Sequence, residues 1–484
     1  MTTTPTRPPV ATAPAPAALT PAALTPAEPT ALTPADHRPV PQHSRAQSTL
    51  GALPQLDRLV GPLGVVGSIR RLPTFPGDPA FPIHVASLGD LSPVAPNIAE
   101  AVGGIPTRAE MDGAGGALDP ERARRVGVAE ALERYASCIV DTTQLTWATA
   151  RELGDDAVDL TSFPQCSATE LSRLGGPVTP VDIDGRQRWV KGWSLTRAEP
   201  CWVPAAAVWM RLAPRTPAER FTSGISTGCA AHSDLASAVL GGLCEVIERD
   251  SIALTWLQRI PWPRLEIDWD DAVLRPFAER HARSNVEVTV FDATTDLGVP
   301  TFYSLERTPH HRTLTQLVMC NTSLDPVDSV AKMLREAASS RIALQADRVL
   351  PEQVSDYTNV FHGAVHMGRP EQAGAFDFLR SGTTSRRLVD VPHLATGDSL
   401  ADLALVTARL AHAGYEVLVV ELTTDEARDA GFRVVRVVVP GLMPLSFVHG
   451  ARYLAHPRLY DAPARLGYPV HAEADLNHDP QPFA

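Results

Sequence analysis

The sequence predicts an α/β fold in which helices cover mixed sheets, and two observations lead to it. Segments rich in β-branched residues alternate with helical segments, most clearly over residues 403–440. There a helical stretch and Gly414 precede the strand Glu416–Leu422, and a second helical stretch ends at Gly431 before the strand Phe432–Pro440. Hydrophobic residues make up 44% of the chain and charged residues 20%, which is sufficient for a large buried core.

The beginning of the chain has a different composition. Residues 1–45 are mostly Pro, Ala and Thr, and the phrase Ala-Leu-Thr-Pro-Ala occurs in them three times. Proline removes backbone donors, and so few apolar side chains cannot form a core. We therefore expect a disordered tail over residues 1–45 and one folded domain over residues 46–484, which ends in a proline-containing segment, 476–484.

Further strands are expected along the domain, in chain order. Residues 65–69 form a weak candidate, and residues 286–291 and 314–320 form stronger ones, because each is a short apolar run bounded by turn signals. Together with the C-terminal strands, they favour one large α/β domain over several small ones.

Charge and cysteine usage exclude several classes of protein. The formal net charge is −12, which argues against a general binder of nucleic acid or anionic membranes. The 6 cysteines are scattered without a C-x-x-C pair, so a zinc ribbon is not expected. Their sparse placement instead leads us to expect a reducing cytoplasm. No apolar run approaches the ~18 residues of a transmembrane helix.

Two predicted helices carry the same pattern, E-x-x-E-R. Glu130, Glu133 and Arg134 lie in the helical segment 126–138. Because residues three and four apart share one face of a helix, these three side chains form one cluster.

The second copy consists of Glu245, Glu248 and Arg249, in a helix expected over residues 233–257 with Ser233 as its cap. Apolar residues surround Glu245, and carboxylates in such a setting usually have partners. A third helix is expected over residues 326–350, after an Asp-Pro start, and it contains one acidic and one basic residue of interest, Glu336 and Arg341.

Paired carboxylates one turn apart offer the hard oxygen ligands that Mg²⁺ prefers, and an adjacent arginine offers a planar fork for phosphate oxygens. Together they suit a nucleoside triphosphate. A single Glu-to-Arg pair is more often an ordinary surface ion pair worth ~0.3–0.5 kcal/mol. Two copies and a related third helix favour the nucleotide site.

These motifs resemble those of a known family. Ser226–His232, Gly242–Asp250 and Leu254–Leu257 are similar to the YcaO domain, above all to its azoline-forming cyclodehydratase branch, the SagD-like component of thiazole/oxazole peptide maturases. Residues 127–135 and 336–341 fall where that family has its other ATP-binding helices. The resemblance covers roughly residues 60–484 and implies the YcaO-type fold.

The resemblance implies ATP and Mg²⁺ as cofactors, held by residues of the three helices. The residues expected to bind the metal are Glu130, Glu133, Glu245, Glu248 and Glu336. The residues expected to contact phosphates or hold the carboxylates are Arg134, Arg249 and Arg341. The residues expected to act in catalysis are Glu245, Arg249 and Pro482, the last because the family's proline-containing C-terminus lies near the ATP site.

The implied reaction is the cyclodehydration of Cys, Ser or Thr in a ribosomally made precursor peptide. The side chain attacks the preceding amide carbonyl, ATP phosphorylates the amide oxygen, and loss of phosphate leaves a thiazoline or oxazoline. Two other readings stay open: thioamide or macroamidine formation, and a non-catalytic YcaO protein that binds only a peptide or partner.

The sequence departs from the family pattern at three positions. Ala114 stands where a lysine is frequent, Ser339 where a glutamine is usual, and Ala484 where the usual final proline would be. The resemblance also implies partners. We expect the precursor peptide, a separate leader-binding protein of the ThiF-like or ocin-ThiF-like type, and a second copy of this chain as a candidate homodimer partner, with no nucleic acid and no membrane.

Overall fold

The structure is a computed structural model, and it describes residues 54–93, 95–101, 111–172, 177–346 and 348–483. Contacts divide the chain into residues 1–40 and residues 41–484, and only the second unit contains described residues. The tail predicted for residues 1–45 lies outside the described residues, as does Ala484. The second unit is a mixed α/β domain of the predicted class.

The strands of the described residues form three sheets. In chain order the strands are β1 Ser68–Arg71, β2 Ile83–Ser87, β3 Gly113–Gly116, β4 Thr146–Ala148, β5 Gln187–Ser194, β6 Glu199–Pro204, β7 Cys229–His232, β8 Arg264–Glu266, β9 Glu287–Asp292, β10 Thr301–Arg307, β11 Gln316–Thr322, β12 Ser385–Arg387, β13 Leu418–Glu421 and β14 Arg433–Val438. The first sheet has the order β1-β2-β3, the second β11-β10-β9-β8-β12, and the third β4-β5-β13-β14-β7, with β6 also paired to β5. Neighbouring strands are antiparallel except β8 and β12.

Helices cover these sheets. In chain order they are α1 Pro96–Ala101, α2 Pro120–Ala136, α3 Ala150–Leu153, α4 Ala168–Leu171, α5 Leu235–Gln258, α6 Arg275–Ala282, α7 Pro326–Leu344, α8 Val360–Met367, α9 Asp377–Ser381, α10 Ser399–His412, α11 Asp425–Asp429 and α12 Arg458–Arg465. Within the described ranges, no helix is both long and apolar enough to cross a membrane.

Three long helices each bridge two of the sheets. Helix α2 packs on β2 and β3 and also on β7, so it joins the first sheet to the third. Helix α5 packs on β7 and β14 and on β10 and β11, and so joins the third sheet to the second. Helix α7 packs on β10 and β11 and on β3, which returns to the first sheet. The three helices that carry the acidic motifs therefore meet where the three sheets come together.

Glycine permits the close approach of α2 to the first sheet. A Cβ atom at Gly115 would lie 2.1 Å from the carbonyl oxygen of Ala123 and 2.2 Å from the backbone nitrogen of Gly127. A side chain at this position would push the helix off the strand. Strand β3 is therefore glycine-rich because its backbone lies directly on the helix backbone.

The structure moves several predicted boundaries. Helix α5 begins after Asp234, whose side chain accepts a hydrogen bond from the backbone nitrogen of Ser237, so Asp234 and not Ser233 is the cap. Helix α7 begins at Pro326, as predicted, but ends at Leu344 rather than near residue 350. The predicted α-β-α-β order is confirmed, and because the second helix, α11, is short, β13 and β14 pair antiparallel.

Candidate active site

Helix α5 supplies the centre of the acidic cluster. The guanidinium of Arg249 donates from Nη2 to Glu245 Oε1 at 3.0 Å and from Nη1 to Glu248 Oε1 at 2.7 Å. Arg249 and Glu245 lie one turn apart, as the sequence pattern predicts. The three side chains form one ion-pair network on a single face of the helix.

Donors from the turn before β7 and from the end of β11 hold these carboxylates in place. Glu245 Oε2 accepts from the backbone nitrogen of Gly228 at 3.0 Å, at the turn before β7. Glu248 Oε2 accepts from the backbone nitrogen of Thr322 at 3.1 Å and from Asn321 Nδ2 at 3.3 Å, at the end of β11. Position 228 requires glycine, because the φ of Gly228 is +83° and a Cβ there would lie 2.2 Å from the carbonyl oxygen of Val437.

Glu248 carries an altered acidity. Only 6% of the residue is exposed, and burial raises its pKa to about 7 against the opposing charges of Arg249 and Lys332. The charges of Glu336 and Glu245 raise the pKa further, which brings the carboxylates of α5 and α7 into one electrostatic unit.

Helix α2 contributes the first acidic pair. Arg134 Nη2 lies 2.7 Å from Glu130 Oε1, and the backbone nitrogen of Ala114 donates to Glu130 Oε2 at 2.8 Å. Glu133 Oε2 accepts from the backbone nitrogen of Ala231 at 3.2 Å, on β7. Burial, then the charges of Glu245 and Glu130, raise the pKa of Glu133 well above its usual range. Helices α2 and α5 thus face each other with their carboxylates.

Helix α7 adds Glu336 and a residue that the sequence analysis missed, Lys332. Lys332 Nζ lies 3.8 Å from Glu336 Oε1. The pKa of Lys332 is raised, first by Glu336 and also by Glu248 and Glu245, so its ammonium faces the same cluster. In the sequence, Lys332 stands four residues before Glu336, which indicates that the two side chains share a helix face. That spacing alone does not distinguish a site residue from an ordinary surface ion pair.

Arg341 does not lie in the cluster, which corrects the expectation that it contacts phosphates or holds these carboxylates. Its side chain is fully buried, with Nε 2.8 Å from Asp78 Oδ1 and Nη1 3.5 Å from Glu306 Oε2. Five residues of helix rotate a side chain by about 140°, so Arg341 and Glu336 project from different sides of α7. The structure gives Arg341 a place in the core.

The C-terminal segment reaches the cluster. The buried ring of Phe483 lies against Arg249, with 4.8 Å between Arg249 Cζ and the ring centroid. Upstream, Trp256 Nε1 donates to the carbonyl oxygen of Asp479 at 3.2 Å. A Cβ at Gly363, on α8, would lie 2.2 Å from the carbonyl oxygen of Gln481. Pro482 is buried between these anchored residues.

The cluster fits a divalent cation by charge. Each of its carboxylates is turned to a backbone nitrogen or a basic side chain, and across the described part of the chain no three His, Cys, Asp or Glu side chains are already gathered as ligands of one metal. Burial first, and neighbouring carboxylates after it, raise the pKa values of Glu133 and Glu248, and a divalent cation bound among these carboxylates would offset their mutual repulsion.

The chain is similar to known proteins in sequence and in fold. The family model of the YcaO cyclodehydratases, described as ATP- and Mg²⁺-binding, matches residues 114–443. A heterocyclase in complex with substrate and cofactor is 24% identical, with a TM-score of 0.71, over 90% of this chain and 57% of that one. The heterocyclase TruD is 26% identical, with a TM-score of 0.59, over 75% of this chain and 51% of that one.

A third solved structure is YcaO from Methanopyrus kandleri, bound with AMPPCP and Mg²⁺. It is 20% identical, with a TM-score of 0.55, over 78% of this chain and 86% of that one. The chain thus spans little more than half the length of the two heterocyclases, and most of the length of the Methanopyrus protein. The overall fold is shared with all three.

Proposed function

Because this chain belongs to the YcaO family, we propose that it catalyses the ATP-dependent cyclodehydration of Cys, Ser or Thr in a ribosomally made precursor peptide. The product is a thiazoline or oxazoline. One observation carries the proposal: Arg249 bridges Glu245 and Glu248 at the meeting point of three acidic helices. Such an arrangement can hold a metal and a chain of phosphates on one surface.

The residues that would hold Mg²⁺ are the five carboxylates of α2, α5 and α7: Glu130, Glu133, Glu245, Glu248 and Glu336. Arg134 and Arg249 would bind phosphate oxygens, and the ammonium of Lys332 adds a third positive charge. Bound Mg-ATP would supply the phosphoryl group that turns the amide oxygen into a leaving group. The protein itself positions groups and stabilises charge.

Proton transfer is a second task of the protein. The attacking thiol or hydroxyl must lose a proton, and the amide nitrogen also loses its proton when the ring is completed. Burial raises the pKa of Glu248 to about 7 when no metal is bound, and a cation held by this carboxylate would lower that pKa. A carboxylate of the cluster that does not bind the metal would accept these protons.

The C-terminal segment acts as a positioning element. The ring of Phe483 lies against the guanidinium of Arg249 and restricts it, and the buried Pro482 fixes the backbone beside it. A restricted arginine loses less entropy when it binds a phosphate. Pro482 would thereby act in catalysis through Arg249.

The proposed partners are the precursor peptide and a separate leader-binding protein of the ThiF-like or ocin-ThiF-like type. The 6 cysteines are free thiols, and most are buried, which suits a reducing cytoplasm. A homodimer is the proposed assembly. The isolated protein should therefore modify a precursor peptide slowly, and the leader-binding partner should accelerate it.

Mass spectrometry tests the function. The protein, the partner, Mg-ATP and a precursor peptide rich in Cys, Ser and Thr should give peptides that each lose one water per ring. The control is the same peptide with these residues replaced by Ala, which should lose none. A thioamide would raise the peptide mass instead, and water loss from the Ala peptide would indicate a macroamidine. An unmodified Cys-rich peptide in the complete mixture would contradict the proposal.

A further inference from the structure

A cavity of about 280 Å³ adjoins the acidic cluster but contains none of its carboxylates. It lies between the loop 222–227 and the segment 437–448, at the end of β14. Thr227 and Val246 line it, and their chain neighbours are Gly228 and Glu245, which are joined by a hydrogen bond of 3.0 Å. The cavity and the acidic cluster thus share one wall.

Most of the lining is apolar. Phe163, Met443, Leu445, Phe447 and Val448 are among the side chains that form it. Burial of an apolar ligand side chain against such a wall is favourable by about 25 cal/mol per Å² removed from water. The volume accommodates a single large residue of a peptide rather than a cofactor.

One positive charge lies in this apolar wall. Arg436, only 7% exposed, donates from Nη1 to the carbonyl oxygen of Ile225 at 2.6 Å and to Cys229 Sγ at 3.1 Å. In the residues described by the structure, no carboxylate forms an ion pair with it. Buried arginines are normally paired with an anion or satisfied by several oxygen acceptors. The guanidinium therefore has capacity for a further acceptor, which a ligand in the cavity can supply.

We propose that this cavity receives an apolar side chain of the peptide substrate, that of the residue preceding the modified Cys, Ser or Thr, and that Arg436 donates to a carbonyl oxygen of the peptide backbone. The inference rests on the proposed function, because it assigns the substrate side of the same site. Because the cavity lies beside Glu245, a side chain bound in it would leave the next residue of the peptide, the Cys, Ser or Thr to be modified, at the acidic cluster. The protein would then select substrates by the residue before each ring.

Binding of short synthetic peptides tests the assignment without nucleotide. The probes are N-acetyl-Leu-Cys-amide and N-acetyl-Gly-Cys-amide, titrated by saturation-transfer difference NMR. We expect the leucyl peptide to bind about tenfold more tightly, with the strongest saturation at its methyl groups. Equal affinities for the two peptides, or no binding of either, would overturn the proposal.

Variants then locate the binding site. Ala207, which is buried and lines the cavity, becomes Phe in the filling variant, and its half-buried neighbour Ala206, outside the cavity lining, becomes Phe in the matched control. Ala207→Phe should abolish the preference for Leu, and Ala206→Phe should keep it. Should Ala207→Phe fail to fold, Phe447→Ala removes part of the apolar wall and should reduce the preference. An unchanged preference in a folded cavity variant would overturn the proposal.

Arg436 is tested separately. Arg436→Gln should lower the affinity for both peptides by about tenfold, because the lost donor binds the peptide backbone and not the side chain. An effect on the leucyl peptide alone, or on neither peptide, would overturn the role of Arg436. Mg-ATP binding is measured on the same proteins. Absence of Mg-ATP binding would refute the proposed function but would not affect the peptide result. Normal Mg-ATP binding with equal affinities for the leucyl and glycyl peptides would refute only this inference.

Discussion

The phenyl ring of Phe483 lies against the guanidinium of Arg249, with 4.8 Å between Arg249 Cζ and the ring centroid. The same guanidinium pairs with Glu245 and Glu248, so the end of the chain contacts the centre of the acidic cluster. Phe483 is only 2% exposed, and the contact is therefore sheltered from water. A cation–π contact of this kind strengthens when it is desolvated.

Replacing Phe483 by Leu should lower ATP turnover by about tenfold, since a desolvated cation–π contact is worth up to about 2 kcal/mol. Leucine keeps most of the buried apolar volume, so the melting temperature should change little. Steady-state phosphate release, with peptide present, measures the effect.

The matched control is Phe361→Leu. Phe361 stacks on Arg348, with 3.5 Å between Arg348 Cζ and the ring centroid. Among the residues that the structure describes, Arg348 forms no ion pair with the carboxylates of the acidic cluster. Replacing Phe361 should leave turnover unchanged. If both variants lose turnover equally, the effect of Phe483 is general destabilisation and not the positioning of Arg249.

The acidity of Glu248 predicts a dependence of stability on pH. Its folded-state pKa of about 7 lies above the ordinary value of 4.5, so the folded protein binds more protons than the unfolded chain between these values. The contribution of Glu248 to stability therefore falls as the pH rises through this interval. Glu248→Gln should show a smaller decline in the free energy of unfolding, measured with denaturant at several pH values; an identical pH profile would contradict the assignment.

Breaking the buried pair of Arg341 and Asp78 should destabilise the protein without affecting the nucleotide site. Arg341→Met should cost about 3–5 kcal/mol, because it leaves buried carboxylates without their partner. The melting temperature should fall markedly, whereas the affinity for Mg-ATP, measured at a temperature where the variant is folded, should remain unchanged. A loss of Mg-ATP affinity in the folded variant would show that Arg341 contributes to nucleotide binding.

Local patterns could be predicted from the sequence because they depend on neighbours along the helix. The pairing of Arg134 with Glu130 and of Arg249 with Glu245 follows directly from i, i+4 spacing. Arg341 could not be placed in this way, because its partner Asp78 lies 263 residues away in the sequence and no local pattern signals that contact.

The anchoring of the C-terminal segment was equally inaccessible. Prolines at alternate positions indicate an extended segment, but they do not show where it docks. The docking depends on a hydrogen bond between Trp256 and Asp479, which are 223 residues apart, and on the missing side chain of Gly363. The cavity beside Val246 also depends on loops that come together only in the folded chain.

The affinity of Glu245→Gln for Mg-ATP, measured by calorimetry, tests whether the acidic cluster holds the nucleotide. The matched control is Glu121→Gln, because Glu121 forms an exposed i, i+4 pair with Arg125 on α2. We expect Glu245→Gln to bind Mg-ATP at least about tenfold more weakly, a loss of about 1.4 kcal/mol, and the control to bind it as the wild-type protein does. Wild-type affinity in Glu245→Gln, or no binding of Mg-ATP by the wild-type protein, would contradict this expectation.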